Sequence, residues 1–235
     1  PLALSYGSRL ILERIGLWPP LESSTPIDTV HVSQRRRPGI AVLTAAEAGL
    51  PQLGYVTDYA TVVSALDNAM GVAQLELIRG ARVTSMAHDA VSARVEFRVG
   101  GDTRDCIASV IAIADGSALA ADVPVRTMDY RQTAVTACVV TELPHRNVAH
   151  ERFTKHGPIG LLPYGDKCAL VWTTTTNEAR ELAGVSQRGF LAALQSRFGD
   201  RLGRFTEVTR RASLALVLRI AERGTWGRAA DGSRP

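Results

Sequence analysis

The chain has 235 residues, of which 46% are hydrophobic and 21% are charged, and its formal net charge is +4 at pH 7. These proportions are ordinary for a globular protein of one large or two small domains, and they argue against a disordered or fibrous chain. No apolar run is long enough to cross a bilayer, and the first residues lack the charged and apolar regions of a secretion signal, so we expect a cytosolic or peripheral protein.

The positive charge is dispersed along the chain. Arginine supplies almost all of it, and its one cluster, Arg35–Arg37, precedes Pro38-Gly39 and is expected to lie in a solvated loop. Because no basic stripe is interleaved with aromatic residues, nucleic acid is not an expected partner. The three cysteines are odd in number and lack CxxC spacing, which predicts reduced thiols and no metal site.

The first part of the chain is predicted to combine short strands with two helices. Apolar residues follow Ser8 at helical spacing, and Gly16 marks the end of that helix. The period-two alternation of residues 25–33 predicts a strand with His31 on the same face as Ile27. A second helix is predicted over 61–70, and further short strands are predicted at 40–43, 53–56, 75–78 and 82–86.

A hairpin and a short buried strand follow. Residues 91–99 alternate in period two and lead through Gly100–Asp102 into a second limb. The next stretch, Ser109–Gly116 (SVIAIADG), is apolar and ends at Asp115 and Gly116. A buried strand that ends in a carboxylate and a glycine is typical of the ligand-binding loops of open α/β sheets, and an ordinary turn after a strand is the alternative.

The second part of the chain reads as an antiparallel sheet followed by a helix. Strands are predicted at 130–140, 158–162 and 168–174, and a helix is predicted from Ser186 to Gly199. Residues 214–218 form a final apolar stretch. The last residues lack a periodic pattern, and we expect them to be disordered. These patterns predict an α/β protein with an adjoining β-sheet, and they contain no GxGxxG motif, P-loop or catalytic triad that would identify its ligand.

Seven short stretches, in an order and spacing that reach from residue 1 to about residue 218, carry a family resemblance. They are ALSYGSRLILERIGLW (3–18), TPIDTVHVS (25–33), LGYV (53–56), IAIADG (111–116), DYRQTAV (129–135), AHERFTKHGPIGLLP (149–163) and FGDRLG (198–203). Together they resemble the FAD-dependent aromatic hydroxylases of ubiquinone biosynthesis, typified by 2-octaprenyl-6-methoxyphenol hydroxylase and related to p-hydroxybenzoate hydroxylase.

The resemblance implies an α/β (α+β) fold in two domains. Residues 1–24 and 53–128 would form part of a Rossmann-like domain that binds FAD and NAD(P). Residues 25–52 and 129–218 would form a substrate-binding antiparallel β-sheet domain. Residues 219–235 diverge from the family and would form the disordered tail.

The resemblance also implies site residues. Asp115 and Gly116 match the family's Asp-Gly motif near the FAD pyrophosphate, a position at which glycine allows close backbone approach. A second set, matched to the sheet that covers the flavin ring, would bind the substrate. It comprises His31, Arg152, Phe153, Gly157, Pro158 and Pro163. The alternatives are that the Glu-Arg-Phe stretch serves packing and surface charge, and that His31 is a hydrogen-bonded structural residue.

The activity implied is hydroxylation of a prenylated phenol. In this family FAD, reduced by NAD(P)H, supplies the oxygen chemistry, while the protein orients the ring and excludes water. That division of labour explains why no catalytic side chain stands out in the sequence. A prenylated phenol resides in the bilayer, so we expect a bacterial protein peripheral to the cytoplasmic face of the inner membrane, with a quinone-biosynthesis protein complex as a further partner.

Several family features are not evident in the sequence. The N-terminal GxGxxG segment and the C-terminal flavin-binding segment are missing, and Ala60 stands where relatives often carry an arginine. We therefore expect weak flavin binding by this chain alone and a truncated, inactive portion of a hydroxylase. The alternative function is a non-catalytic module that binds a prenylated phenol or a partner protein.

Overall fold

The computed structural model describes residues 1–73, 75–89, 91–114, 124–221, 225–226 and 229–231. The chain forms two compact units. The larger unit contains residues 1–74 and 131–216, and the smaller contains residues 75–130 and 217–235. No helix in the described ranges is both long and apolar enough to span a membrane.

Four α-helices and a short 3-10 turn, Pro19–Leu21, are present in the described residues. The helices are α1 (Tyr6–Arg14), α2 (Tyr59–Val72), α3 (Thr176–Gly184) and α4 (Gln187–Phe198). The strands that precede the smaller unit are β1 (Leu2–Ser5), β2 (Thr25–Ile27), β3 (Thr29–Gln34), β4 (Ile40–Thr44) and β5 (Gly54–Thr57).

The smaller unit begins with the strands β6 (Arg82–His88), β7 (Ala93–Val99), β8 (Asp102–Ala108) and β9 (Ile111–Ile113). Of the three boundaries between the units, one follows residue 74 and the other two fall within the strands β10 (Val125–Thr141) and β15 (Ala212–Ala221). Between these two come β11 (Val148–Thr154), β12 (Gly157–Tyr164), β13 (Lys167–Thr175) and β14 (Phe205–Val208). The last strands are β15 (Ala212–Ala221), β16 (Thr225–Trp226) and β17 (Ala229–Asp231).

The larger unit is built on an eight-stranded mixed sheet. Its order is β14-β10-β13-β12-β11-β3-β4, and β15 pairs with β10. All pairings described within this order are antiparallel except that of β11 with β3, which is parallel. A separate three-stranded sheet, β1-β5-β2, packs against the eight-stranded sheet. Ile27 and Val56 of the smaller sheet and Ala149 of β11 form a buried cluster at this contact.

The main core lies between α3 and α4 and one face of the eight-stranded sheet. Helix α4 places Phe190, Leu194 and Phe198 on one stripe, as residues four apart on a helix must lie, and all three are buried. The stripe packs against Trp172 of β13, whose ring centroid is 5.7 Å from that of Phe190. The Ser186 hydroxyl accepts a hydrogen bond from the Gly189 N–H at the start of α4, and Gly199 ends the helix at a φ of 90°.

The smaller unit contains two three-stranded sheets, β6-β7-β8 and β16-β17-β9. The β7–β8 hairpin turns through Gly100 and Gly101, which both have positive φ, as a two-residue turn matched to strand twist requires. The sequence-based prediction of this hairpin is confirmed. Strand β9 occupies part of the predicted 109–116 strand and pairs in parallel with β17.

Most predicted elements are confirmed, and the differences have physical causes. The predicted strand at 75–78 is wrong because its backbone joins no sheet in the described residues, and its apolar side chains are exposed. Within the predicted disordered tail, residues 219–221 belong to β15, and β16 and β17 form a short antiparallel pair. Main-chain pairing of this kind requires no side-chain periodicity, so the sequence pattern missed it.

The two compact units also divide the chain differently from the predicted domains. The predicted boundary at 128–129 lies close to the observed one at 130–131. Residues 1–24 and 53–74, expected in a flavin-binding domain, belong to the same unit as the eight-stranded sheet. The assignment of either unit to flavin or substrate remains a prediction.

Helix α3, which the sequence analysis missed, begins with a capping pattern, Thr175-Thr-Asn-Glu178. The Thr175 hydroxyl accepts a hydrogen bond from the Glu178 N–H. The Glu178 carboxylate accepts hydrogen bonds from the Thr174 hydroxyl and from His156 Nδ1 at 3.0 Å, and it forms an ion pair with Arg197 of α4. This carboxylate therefore joins β13, the β11–β12 turn, α3 and α4.

The network lowers the pKa of the Glu178 carboxyl, since its hydrogen bonds and the Arg197 charge outweigh the opposing effect of burial. The carboxylate therefore contributes stability above its ordinary pKa of 4.5, and that contribution is lost as the pH falls through the lowered value. We expect Glu178→Gln to reduce the free energy of unfolding by about 1–3 kcal/mol near neutral pH, and by less in acid.

Urea denaturation at neutral and acidic pH measures this difference. Glu181→Gln, an exposed substitution on the same helix, is the matched control and should stay within about 0.5 kcal/mol of wild type. A Glu178→Gln loss that is equally large at both pH values would show that the carboxylate charge is not what stabilises the fold.

Candidate functional site

The eight-stranded sheet has a second face, opposite α3 and α4, which we call the open face. It is defined by the side chains of two cross-strand rows. One row contains Val32, Glu151, Gly160, Val171 and Thr136, and the other contains Phe153, Pro158, Thr173 and Ala134. Residues that pair directly across neighbouring strands lie on the same face, so the register places these groups together.

The open face is largely apolar and partly exposed. Phe153 retains 46% and Val171 retains 38% of its accessible surface, so both apolar side chains are available to a ligand. Gly160 lies between the Glu151 and Val171 positions and contributes no side chain, so the surface is depressed there.

A cavity of about 210 Å³ adjoins Val171 on this side of the sheet. Its lining includes Thr136, Cys138, Leu162, Ala169 and Val171. The lining is apolar apart from hydroxyl and thiol groups and Arg210 at one side. An apolar wall with a few polar groups is typical of sites for hydrophobic small molecules.

Glu151 is an ionisable group on the open face, and the sequence analysis did not select it. Burial raises the pKa of its carboxyl above the ordinary value. Glu151 lies between His150 and Arg152 in β11. The only sequence feature that could have located it is strand alternation, which places every second residue on this face. A carboxyl in apolar surroundings can accept a hydrogen bond or a proton from a bound hydroxyl.

Two of the six predicted substrate-binding residues, Phe153 and Pro158, lie on the open face as direct cross-strand partners. Gly157 lies beside them at the β11–β12 turn, with a φ of 145°. A Cβ at Gly157 would lie 2.6 Å from the Thr173 carbonyl oxygen, so the glycine allows β13 to approach. Whether these residues bind substrate remains a prediction.

The other three predicted residues, His31, Arg152 and Pro163, lie on the helix-covered face. Pro163 is buried opposite Cys168. The Arg152 guanidinium donates to the Arg197 carbonyl oxygen at 3.2 Å and to the Ser33 hydroxyl at 3.4 Å. These contacts agree with the alternative that Arg152 serves packing. The structure therefore does not bring all six residues to one site.

The predicted cofactor residues, Asp115 and Gly116, lie outside the described residues. Elsewhere, a flavin pyrophosphate would need free backbone N–H groups at a helix N-terminus. The N-termini of α1, α3 and α4 are each capped by a side-chain hydroxyl, from Ser5, Thr175 and Ser186. At the α2 N-terminus stands the Asp58 carboxylate, which accepts a hydrogen bond from Tyr164 and thereby raises the pKa of that phenol to about 12. None of these helix N-termini follows a glycine-rich loop in the described residues.

Comparison with curated proteins identifies relatives along almost the whole chain. The chain is 31% identical to ubiquinone hydroxylase UbiL of Rhodospirillum rubrum over 246 aligned residues, which cover 99% of this chain and 56% of the relative. It is 26% identical to 3-demethoxyubiquinol 3-hydroxylase of Escherichia coli, covering 92% of this chain and 58% of that protein. The chain is therefore similar, over almost its whole length, to ubiquinone-biosynthesis hydroxylases. The resemblance seen in its sequence is confirmed.

The fold agrees with this relationship. A crystal structure of p-nitrophenol 4-monooxygenase from Pseudomonas putida matches with a TM-score of 0.72 at 13% identity, over 97% of this chain and 61% of that chain. The predicted mixed α and β fold class is therefore confirmed. No family model matches the chain. The chain spans a little over half the length of the curated relatives named above.

The positive φ of Gly157 and its close contact with the Thr173 backbone can be tested by substitution. We expect Gly157→Ala to destabilise the chain by about 2 kcal/mol or more, because its φ is unfavourable for alanine and its Cβ would collide with the Thr173 backbone. Chemical denaturation measures the change. Gly39→Ala, at an unobstructed position without positive φ, is the control and should be nearly neutral. Equal stability of the two variants would contradict the close approach of β13.

Proposed function

We propose that this chain is the substrate-side part of a flavin-dependent hydroxylase of ubiquinone biosynthesis. The whole enzyme would insert one oxygen atom from O₂ into a prenylated phenol, with FAD as cofactor and NAD(P)H as reductant. The observation that carries the proposal is the 31% identity to ubiquinone hydroxylase UbiL over 99% of this chain. The fold shared with a phenol monooxygenase supports it.

The open face is the proposed phenol-binding surface. Phe153, Pro158 and Val171 offer apolar contacts for a ring and a prenyl chain, and their exposure leaves this area available. Binding there would remove apolar surface from water, at about 25 cal/mol for each Å² buried. Glu151, at the edge of the Gly160 depression, would accept the hydrogen bond of the phenolic hydroxyl. In that role Glu151 orients the ring, and the adjacent apolar wall excludes water.

A second function, a binding module without redox activity, is favoured by one specific observation. In the described residues no helix N-terminus follows a glycine-rich loop of the kind that holds a flavin pyrophosphate. Such a module would hold the prenylated phenol or contact another protein of the pathway. The proposed location, peripheral at the cytoplasmic face of the inner membrane, follows from the hydrophobic substrate under either function.

Phenol binding by the chain tests the surface. We expect 2-geranylphenol to bind in equilibrium dialysis, and Val171→Asp to weaken binding at least about tenfold because it places a charge on the apolar wall. Val91→Asp is the matched control, since Val91 is 76% exposed and belongs to the smaller unit. Equal binding by the two variants would contradict assignment of the open face.

A chimera separates the two functions. In it, this chain replaces its counterpart within ubiquinone hydroxylase UbiL, and the FAD content of the purified protein reports correct assembly. We expect NAD(P)H-dependent conversion of the phenol to a product heavier by one oxygen atom, detected by mass spectrometry. An FAD-loaded chimera that binds the phenol and yields no hydroxylated product would reject the hydroxylase in favour of the binding module.

A further inference from the structure

A separate cavity lies on the helix-covered side of the eight-stranded sheet, near the starts of β3 and β11. Its volume is about 430 Å³. The polar residues that line it are Thr29, His31, His145, Arg146, His150 and Arg201. The proposed hydroxylase function makes no use of this cavity, because the open face lies on the other side of the sheet.

Two buried histidines form the floor of the cavity. His31 of β3 and His150 of β11 are direct partners in the parallel register, and their ring centroids are 5.5 Å apart. His31 is 8% exposed and His150 is 7% exposed. The Nδ1 atom of His150 is buried and has no hydrogen-bond partner in the described part of the chain. A buried polar atom without a partner is costly, which suggests that a ligand completes the site.

Arg201 adds a permanent positive charge beside this pair. The bridge between Arg201 and Gly203 fixes its backbone at the cavity. Arg201 is exposed, and its guanidinium has no ion-pair or hydrogen-bond partner among the described residues, so its N–H donors are available to a ligand. A guanidinium presents a fork of N–H donors suited to the oxygens of a carboxylate or a phosphate.

No carboxylate among the described residues lines the cavity. The acidic residues adjacent in sequence, Asp28 and Asp200, instead accept hydrogen bonds from the amides of Asn147 and Gln195. The positive charge at the cavity is therefore not neutralised by the residues that form it. In the described ranges no three His, Cys, Asp or Glu side chains are grouped closely enough to hold a metal ion, so the histidine pair does not indicate a metal site.

The turn at the cavity rim is held firmly. His145 accepts a hydrogen bond at Nδ1 from the Asn147 N–H, so its Nε2 carries the proton and donates to the Gly165 carbonyl oxygen at 2.8 Å. Arg146 and Asn147 both adopt left-handed backbone angles, with φ of 50° and 58°. Such strain in residues other than glycine persists only where the surroundings enforce it, and here it places Arg146 at the rim.

We propose that this cavity binds a small oxyanion, a phosphate or carboxylate group, held by Arg201 and by the His31 and His150 rings. The guanidinium supplies charge and two N–H donors, and each ring, once protonated, supplies a further N–H. Arg146 closes the rim. The same chemistry would recognise either a free anion or the headgroup of an anionic lipid.

The site couples anion binding to proton uptake. Burial and the Arg201 charge lower the pKa of His31, and burial with the His31 and Arg201 charges lowers that of His150 to about 4, so both rings are neutral without a ligand. A hydrogen bond to its own backbone partly opposes the lowering of the His31 pKa. The other side chains that act on this pair are Arg152 and His145, neither of which supplies negative charge. A bound anion raises both histidine pKa values, so binding is stronger at lower pH.

Histidine-ring NMR of the 235-residue chain, titrated with inorganic phosphate at constant ionic strength, tests the proposal. We expect saturable shifts of the His31 and His150 signals. Arg201→Gln should weaken binding at least about tenfold. Arg204→Gln is the matched control, because Arg204 is 81% exposed, lies three residues away and pairs with Glu142.

Vesicle flotation separates the two sources of the anion. Binding to phosphatidylglycerol vesicles that requires Arg201, and is weaker for phosphatidylcholine, would identify a lipid headgroup. Phosphate binding without such vesicle binding would identify a free anion. The proposal is overturned if neither probe binds, or if Arg201→Gln and Arg204→Gln bind both probes equally.

Discussion

The packing of α4 against one face of the eight-stranded sheet is the contact on which the larger unit depends. Phe190, Leu194 and Phe198 are each at most 3% exposed, and they meet the strand residues Trp172 and Leu170. Burial of side chains of this size contributes about 1.5–3 kcal/mol each, so this stripe is a major term in the stability of the unit. It also determines which face of the sheet is covered and which stays available to a ligand.

Successive residues of a strand lie on opposite faces of the sheet, so the face that α4 covers and the open face differ in their chemistry. Strand β11 shows this most clearly. Its His150 and Arg152 face the helices, where they meet Phe198 and the Arg197 carbonyl oxygen. Its Glu151 and Phe153 face the opposite side, beside Gly160 and Pro158. Four consecutive residues therefore serve two sites, because side chains along a strand point to alternate faces.

The two surfaces differ in the ligand that their chemistry favours. The open face is apolar with a carboxyl whose pKa is raised, which suits a phenol that carries a hydrocarbon chain. The cavity at His31 and Arg201 carries positive charge without a carboxylate in its lining, which suits an oxyanion. If the anion is a lipid headgroup, the two proposals agree, since a protein at a membrane surface could take a hydrophobic substrate from the same bilayer.

The sequence by itself determined the elements with strong local patterns and the family. The Gly100-Gly101 hairpin, the α4 stripe between Ser186 and Gly199, and the relation to ubiquinone-biosynthesis hydroxylases were all predicted correctly, because turn chemistry, helix capping and motif order are local properties. Only the tertiary structure decided which residues share a site. The predicted set was divided between two faces, and the pairing of His31 with His150 joined residues 119 positions apart in the chain by strand register. Register depends on which face α4 covers, and that is a long-range packing choice which no short stretch of sequence contains.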